Sequence, residues 1–345
     1  MRILVTGGAG FIGSHIAEFY AEKGNDITVY DNLSRAALLN KEDKHSMYNW
    51  NHLTKFKNVK LMKEEIVNEK ELEENAKGAD VIFHTAAQTA VTSSLTDPRR
   101  DFMINSLGTF NVLEAARKND VNTVVYTSTN KVYGDNVNKV KIKEGDLKYS
   151  FDDERYANGL PEDFGIDLCE HTPYGCSKLS GDLYMQDYGH LYGMKVGVFR
   201  CSCIYGTRQF GVEDQGWISW FIKSTLLGKP LTIYGDGKQV RDVLYVTDLV
   251  GLFDKFVNSN LKHEVFNAGG GVNNTLSLLQ LLDILKELTN KKSEISFKDW
   301  RPSDQKVYVS DTSKANRLLN WEQKVSPKEG IKKLVDWAVE NKDIF

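Results

Sequence analysis

Cysteine and proline are scarce in this chain of 345 residues, which holds four of the first and six of the second. Cys169, Cys176, Cys201 and Cys203 form no C-x-x-C pair, and no histidine spacing completes a zinc site. A disulfide-stapled or zinc-stabilised fold is therefore excluded, and reduced, packed thiols with no metal are expected. No apolar run approaches the ~20 residues a membrane helix needs, so no membrane association is expected. Excess charge of either sign is also lacking. The net charge is -3, which gives no basic footprint for nucleic acid. The opening "MRILVTGGAG" has no charged leader followed by a long apolar segment and cleavage site, so a cytoplasmic location is expected. There is no internal repeat and no low-complexity tract.

What is present is a soluble-protein balance, 41% hydrophobic and 26% charged residues, with enough chain for one large domain or two. The first half alternates strand and helix. Short apolar runs at 2–7, 26–31, 59–66, 79–87, 123–129 and 195–201 read as strands. Amphipathic stretches at 11–24, 97–118 and 174–193 read as helices, with Pro98 in a first turn where its missing N–H costs little. Such repeated units predict a doubly wound parallel Rossmann sheet, α/β in class, with helices on both faces. After residue 204 the pattern turns to short strands and turns, with a helix at 276–289. This predicts a smaller C-terminal α/β substrate-binding lid at the C-terminal edge of the sheet. The expected division is 1–203 with 239–266 for the dinucleotide unit, and 204–238 with 267–345 for the substrate unit. Segments 32–55 and 134–172 read as long loops, a length that usually signals function.

"VTGGAGFIG" puts Gly7, Gly10 and Gly13 directly after the first strand and at the mouth of the first helix. Unpaired N–H groups and the helix dipole attract a pyrophosphate there, and glycines let the backbone approach it. Asp31 closes the second strand 18 residues beyond Gly13, where a carboxylate can grip the adenosine ribose hydroxyls and repel a 2′-phosphate. NAD is thus expected over NADP.

"TPYGCSK" (172–178) places Tyr174 and Lys178 four residues apart, on one face of a helix. Taken alone, that spacing reads first as ordinary helix surface.

Taken with "TGGAGFIG", "HTAAQ" (84–88), "YTSTNKVYG" (126–134), "VRDVLYVTDL" (240–249) and "RPSDQ" (301–305), the chain resembles, over nearly its whole length, the extended short-chain dehydrogenase/reductases that include nucleotide-sugar epimerases and dehydratases. The resemblance implies a catalytic triad of Thr129, Tyr174 and Lys178. Lys178 and the nicotinamide charge favour tyrosinate, so Tyr174 can take a proton from a sugar hydroxyl while Thr129 aligns it. It also implies a cofactor set of Gly7, Gly10, Phe11, Ile12, Gly13, Asp31, Asn32, Ser34, Arg35, Glu65, Ile66, Ala86, Ala87, Gln88, Asn105, Thr127, Tyr174, Lys178 and Phe199.

Two departures refine this. Dehydrating relatives carry an Asp–Glu pair after the threonine; here Asn130 and Lys131 stand there, and without carboxylates an elimination cannot be written. Many relatives have a substrate-touching asparagine where Cys203 sits, a weaker hydrogen-bonding group. "STNKVYGD", "IYGTRQFGVEDQGWISWF" and "GKQVRDV" are similar to the branch that inverts carbon 2 of a CDP-linked sugar, whereas most relatives act at carbon 4. The implied substrate is a nucleotide-diphosphate sugar. Arg241 and Arg301 are the expected diphosphate ligands, with Arg208 and Gln209 beside them. Gln88, Thr92, Ser93, Thr129, Asn130, Lys131 and Ser202 are expected along the sugar. Trp217, Trp220 and Phe221 read as lid core before sugar platform, and His84 as a packed strand end. A carbon-4 epimerase of a UDP- or CDP-sugar and a non-catalytic NAD sensor are the rival readings. The family's habit of pairing through two helices, here 97–118 and 173–192, implies a homodimer or homotetramer.

Overall fold

A computed structural model describes residues 1–35, 47–301 and 304–344. Along these run the strands β1 (Arg2–Thr6), β2 (Asp26–Asp31), β3 (Val59–Lys63), β4 (Val81–His84), β5 (Thr123–Thr129), β6 (Ile142–Glu144), β7 (Tyr149–Phe151), β8 (Lys195–Cys201), β9 (Cys203–Tyr205), β10 (Leu231–Tyr234), β11 (Val240–Tyr245), β12 (His263–Ala268), β13 (Thr275–Ser277), β14 (Ile295–Lys298) and β15 (Val307–Tyr308). Seven form the central sheet in the order β12-β8-β5-β4-β1-β2-β3. β1 pairs in parallel with β2 and with β4, its Ile3 facing Ile27 on one side and Val81 on the other. The chain therefore winds outward in both directions from β1, and the crevice at the C-terminal ends of β1 and β4 is the switch point where such sheets bind ligands. Every residue of β4 and β5 is buried, as continuous apolar strands require when helices cover both faces. Among the described residues no helix is long and apolar enough to cross a membrane.

The chain divides into two compact units of nearly equal length. The first comprises 1–129, 173–200 and 250–265; the second comprises 130–172, 201–249 and 266–345. Segments 130–172 and 240–249 thus lie with the second unit, not the first. The reason is strand pairing. β11 is joined by β9, β13 and β15, and Leu160 bridges to Ser310.

Both expected loops hold structure. Segment 32–55 contains the helix Tyr48–Leu53, with Leu53 fully buried; its residues 36–46 lie outside the described ones. Segment 134–172 forms the antiparallel hairpin β6–β7, with Ile142 opposite Phe151. That hairpin is anchored because Tyr149 packs with Val240, Val307 and Val309, and Ile142 and Phe151 pack against them. The expected helix at 97–118 is present from Pro98 to Lys118, but Met103–Leu107 winds as a π turn. The helix carrying Tyr174 runs from Thr172 to Tyr192.

Candidate active site

At the end of β1 the chain turns through Gly7 at φ 68°, and a Cβ there would stand 2.6 Å from the Ala86 nitrogen after β4. A Cβ on Gly13 would collide with the Gly7 carbonyl. Only glycine allows this approach of turn, helix and neighbouring strand. Gly10 caps the helix Phe11–Glu22 without a side-chain hydrogen bond, which leaves its N-terminal N–H groups to an anion. Phe11 and Ile12 lie in the first turn, partly exposed. Asp31 accepts the N–H of Ala9 at 3.0 Å and of Leu33 at 2.8 Å. Burial raises its carboxyl above the ordinary range; the Leu33 and Ala9 donors oppose this and Glu65 adds to it. The Asn32 amide donates to the Glu65 carboxylate at 2.8 Å and accepts the Ser34 N–H at 2.9 Å, so the loop after β2 is tied to the end of β3. Arg35 is partly buried, which holds its guanidinium below its usual range. Cradle, dipole and ribose-side carboxylate fit a dinucleotide.

Ile66, Ala86, Ala87 and Thr127 lie around the ends of β3, β4 and β5, with the Thr127 hydroxyl donating to the His84 carbonyl. Phe199 is fully buried between Phe253 and Phe256, so its side chain belongs to the core. His84 is a packed strand end. Its ring nitrogens meet the hydroxyls of Thr6 (2.7 Å) and Thr109 (2.9 Å), and burial, then the Lys178 charge, hold it neutral.

Thr129 ends β5, while Tyr174 and Lys178 occupy the first two turns of the helix Thr172–Tyr192; all three are buried. The Lys178 ammonium sits 4.1 Å from the centre of the Tyr126 ring, a favourable setting for a cation away from water. Tyr174 donates its N–H to Ser94 Oγ at 3.1 Å, which satisfies one of the orphan donors at the helix start. Behind Thr129, Ser128 donates to Asp182, and Arg200 pairs with Asp182 through two nitrogens at 3.0 and 3.1 Å. Removing either partner would strand a buried charge, at about 3–5 kcal/mol. Thr92 and Ser93, on the short helix Val91–Thr96, are partly exposed. Gln88 and Asn105 are buried and bonded to each other and to Asp101, so their amides are engaged internally.

Sequence reasoning missed Asp101 and Ser177. No local pattern in the sequence marks either one; contacts to residues distant in the chain bring them in.

In the second unit, Arg241 on β11 pairs with Asp304 at 2.8 Å and donates to the Gln305 carbonyl at 2.5 Å. Gln305 in turn accepts from Asn130 at 3.3 Å. Lys131 is partly buried; burial first, and Arg241 second, lower its ammonium to about 8. Arg301 pairs with Asp214 at 2.9 Å and lies 4.0 Å over the Tyr234 ring. Pro302 and Ser303 lie outside the described residues. Arg208 is buried with φ 61°, a conformation costing a non-glycine residue about 1–3 kcal/mol and concentrated at ligand-binding positions. The buried Gln209 Oε1 has no hydrogen-bond partner among the described residues. Ser202 donates to Asp242. Cys203 Sγ accepts the Trp217 indole N–H at 3.3 Å, and burial raises its thiol. Phe221 is core, and Trp220 is partly buried. Among the described residues no disulfide joins the cysteines, and Cys176 is exposed where the others are buried or partly buried, because its helix turns that position to solvent. Among the described residues no cluster could hold a metal ion.

A glycine cradle at the switch point, with a buried tyrosine–lysine helix beside β5, defines a nicotinamide-dinucleotide enzyme of the short-chain type. The chain belongs to the NAD dependent epimerase/dehydratase family, whose pattern residues 3–269 match; its cofactor is NAD. It is 40% identical to CDP-paratose 2-epimerase of Salmonella typhi, across 98% of this chain and 99% of that one. Among solved structures, the UDP-glucose 4-epimerase of Thermotoga maritima with UDP-glucose superposes with a TM-score of 0.81 at 31% identity, covering 99% of this chain and 100% of that one. The UDP-glucuronic acid 4-epimerase of Bacillus cereus, in complex with UDP-glucuronic acid and NAD, superposes with a TM-score of 0.82 at 26% identity, covering 99% of each chain.

Proposed function

We propose that the protein is an NAD-dependent epimerase of a nucleotide-diphosphate sugar, inverting carbon 2 of CDP-paratose to give CDP-tyvelose. The observation that carries this reading is the buried Tyr174–Lys178 couple together with Asn130 and Lys131, which stand where a dehydrating site would need an acid–base pair of carboxylates. Tyr174 takes the proton of the reacting hydroxyl, Thr129 aligns that hydroxyl, and Lys178 favours the tyrosinate and holds the nicotinamide ribose. NAD, when bound, supplies the hydride acceptor that oxidises the carbon and then returns the hydride. The 2-keto sugar turns between the two transfers, so Tyr174 gives its proton back to the opposite epimer. Arg241 and Arg301 exchange Asp304 and Asp214 for the diphosphate oxygens. The unpartnered Gln209 Oε1 suits a sugar or ribose hydroxyl donor.

Similarity to the Salmonella typhi enzyme supports carbon 2 and a CDP-linked sugar. A second reading, a carbon-4 epimerase of a UDP- or CDP-sugar, is favoured by the Thermotoga maritima and Bacillus cereus relatives. A non-catalytic NAD sensor is disfavoured by the intact tyrosine and lysine. NMR product analysis with CDP-paratose, UDP-glucose and UDP-galactose decides. Inversion at carbon 2 of CDP-paratose is expected. Inversion at carbon 4 of the UDP-sugars alone would install the second reading, and NAD binding without turnover of any would install the third.

We also propose a homodimer, or a dimer of such dimers, formed through the helices Pro98–Lys118 and Thr172–Tyr192. Phe102, Phe110, Leu183 and Tyr184 are large apolar side chains exposed on them, and Phe110 and Tyr184 already meet edge to face at 5.8 Å.

A further inference from the structure

Lys178 Nζ stands 4.1 Å over the centre of the Tyr126 ring. Tyr126 lies on β5, close before Thr129, and is fully buried. Its ring is fixed against the helix Thr172–Tyr192. The Tyr126 hydroxyl donates to the Lys178 carbonyl at 3.4 Å. The His84 ring stacks on it, with centroids 5.3 Å apart and 19° between the planes. Gly181 opens the space, because a Cβ there would stand 2.6 Å from the Tyr126 hydroxyl and 3.1 Å from Thr109. A buried ammonium has lost its hydration, and an aromatic face attracts a cation most strongly away from water. This helix and its neighbours bring His84, Tyr174, Asp101 and Asp182 near as well. His84 is held neutral by burial, with threonine hydroxyls on both ring nitrogens. Tyr174 is the proposed acid–base group itself. Asp101 is bonded to Gln88, Asn105 and Ser177. Asp182 pairs with Arg200 through two nitrogens and accepts from Ser128 and Gln186, so its charge is compensated where it lies. All of these groups stay in place when only the Tyr126 ring is altered.

We infer that Tyr126 is a positioning residue for Lys178, its ring face holding the ammonium charged and in place. The inference rests on the role proposed for Lys178 toward the nicotinamide ribose. A ring that favours the ammonium keeps the proton on Lys178 to higher pH. Weakening the ring should therefore move the loss of that proton, and of the NAD affinity that depends on it, downward in pH.

The test weakens the negative face of the ring while keeping its shape. Tyr126→Phe is the reference, and mono-, di- and trifluorophenylalanine then replace that phenylalanine in turn. NAD binding is measured by calorimetry on cofactor-stripped protein across the alkaline range. The alkaline loss of affinity should move down stepwise with fluorine, by about 1 pH unit for the trifluoro form. The melting temperature should fall in the same order, and that fall should vanish when the series is repeated with Lys178→Met, which leaves no cation over the ring. An alkaline limb and melting temperatures indifferent to fluorine would overturn the inference and leave Tyr126 a packing residue. A fall of equal size with and without Lys178 would overturn it too. Should Tyr126→Phe not fold, fluorinated tyrosines, which keep the hydroxyl, carry the same melting comparison. Neither measurement needs a sugar substrate, so both stand or fall apart from the epimerase reading. A wild type with no alkaline loss of NAD affinity would sink the role of Lys178 toward NAD, and the melting cycle would still decide whether the ring holds the ammonium.

Discussion

Tyr174 and Lys178 lie on one helix face because four residues make about one turn, and that much was legible in seven letters of sequence. Spacing alone could not distinguish a reactive pair from wet surface. Burial of both, the Tyr126 ring beneath the ammonium and the Ser94 cap on the Tyr174 N–H take the pair off the wet surface. Tyr174→Phe should leave NAD binding nearly intact in calorimetry and lower kcat by about 10²–10⁴, the usual worth of a positioned acid–base group. A drop below tenfold would assign the proton to another residue. Lys131 yields a pH prediction. With its ammonium lowered to about 8 by burial and Arg241, it is cationic below that pH and neutral above. If it faces the anionic substrate, kcat/KM should fall as pH rises through about 8, and Lys131→Met should lose this step while keeping turnover. A step that survives in Lys131→Met would belong to another group. Asp101 was illegible in the sequence because nothing local says which helical carboxylate faces inward; its place comes from contacts to residues 13 and 76 positions away.

At the scale of elements, strands with continuous apolar runs were read correctly in number and order through β5, since both-face burial leaves a strong signature. The π turn inside Pro98–Lys118 was not. It exists because Asn105 is drawn into buried hydrogen bonds with Gln88, Asp101 and Ser177, a tertiary demand that helical periodicity does not record. The hairpin β6–β7 was missed for the same reason: its strands are three residues each, and distant valines fix them. The exposed face formed by Phe110 and Tyr184 carries a prediction. Phe110→Glu sets a charge into the proposed helix–helix interface and should shift the protein toward monomer in light scattering at micromolar concentration. A mass unchanged from a wild-type dimer, or a monomeric wild type, would contradict the interface.

At the scale of the whole molecule, the chain order of strand and helix predicted the doubly wound sheet, but not which unit owns segments 130–172 and 240–249. Ownership follows β11 pairing with β9, β13 and β15, contacts far apart in sequence. The first unit holds the glycine cradle, Asp31 and the Thr129–Tyr174–Lys178 set, and the second holds the arginines and Lys131. We propose that the carbon is inverted by loss and return of hydride, with Tyr174 moving only the hydroxyl proton. Turnover in D₂O, followed by NMR of the purified product, tests it most directly. The account predicts an inverted carbon 2 with no carbon-bound deuterium, because hydride leaves and returns without meeting solvent. Deuterium at carbon 2 would mean that a proton, not a hydride, left the carbon, and would contradict the account.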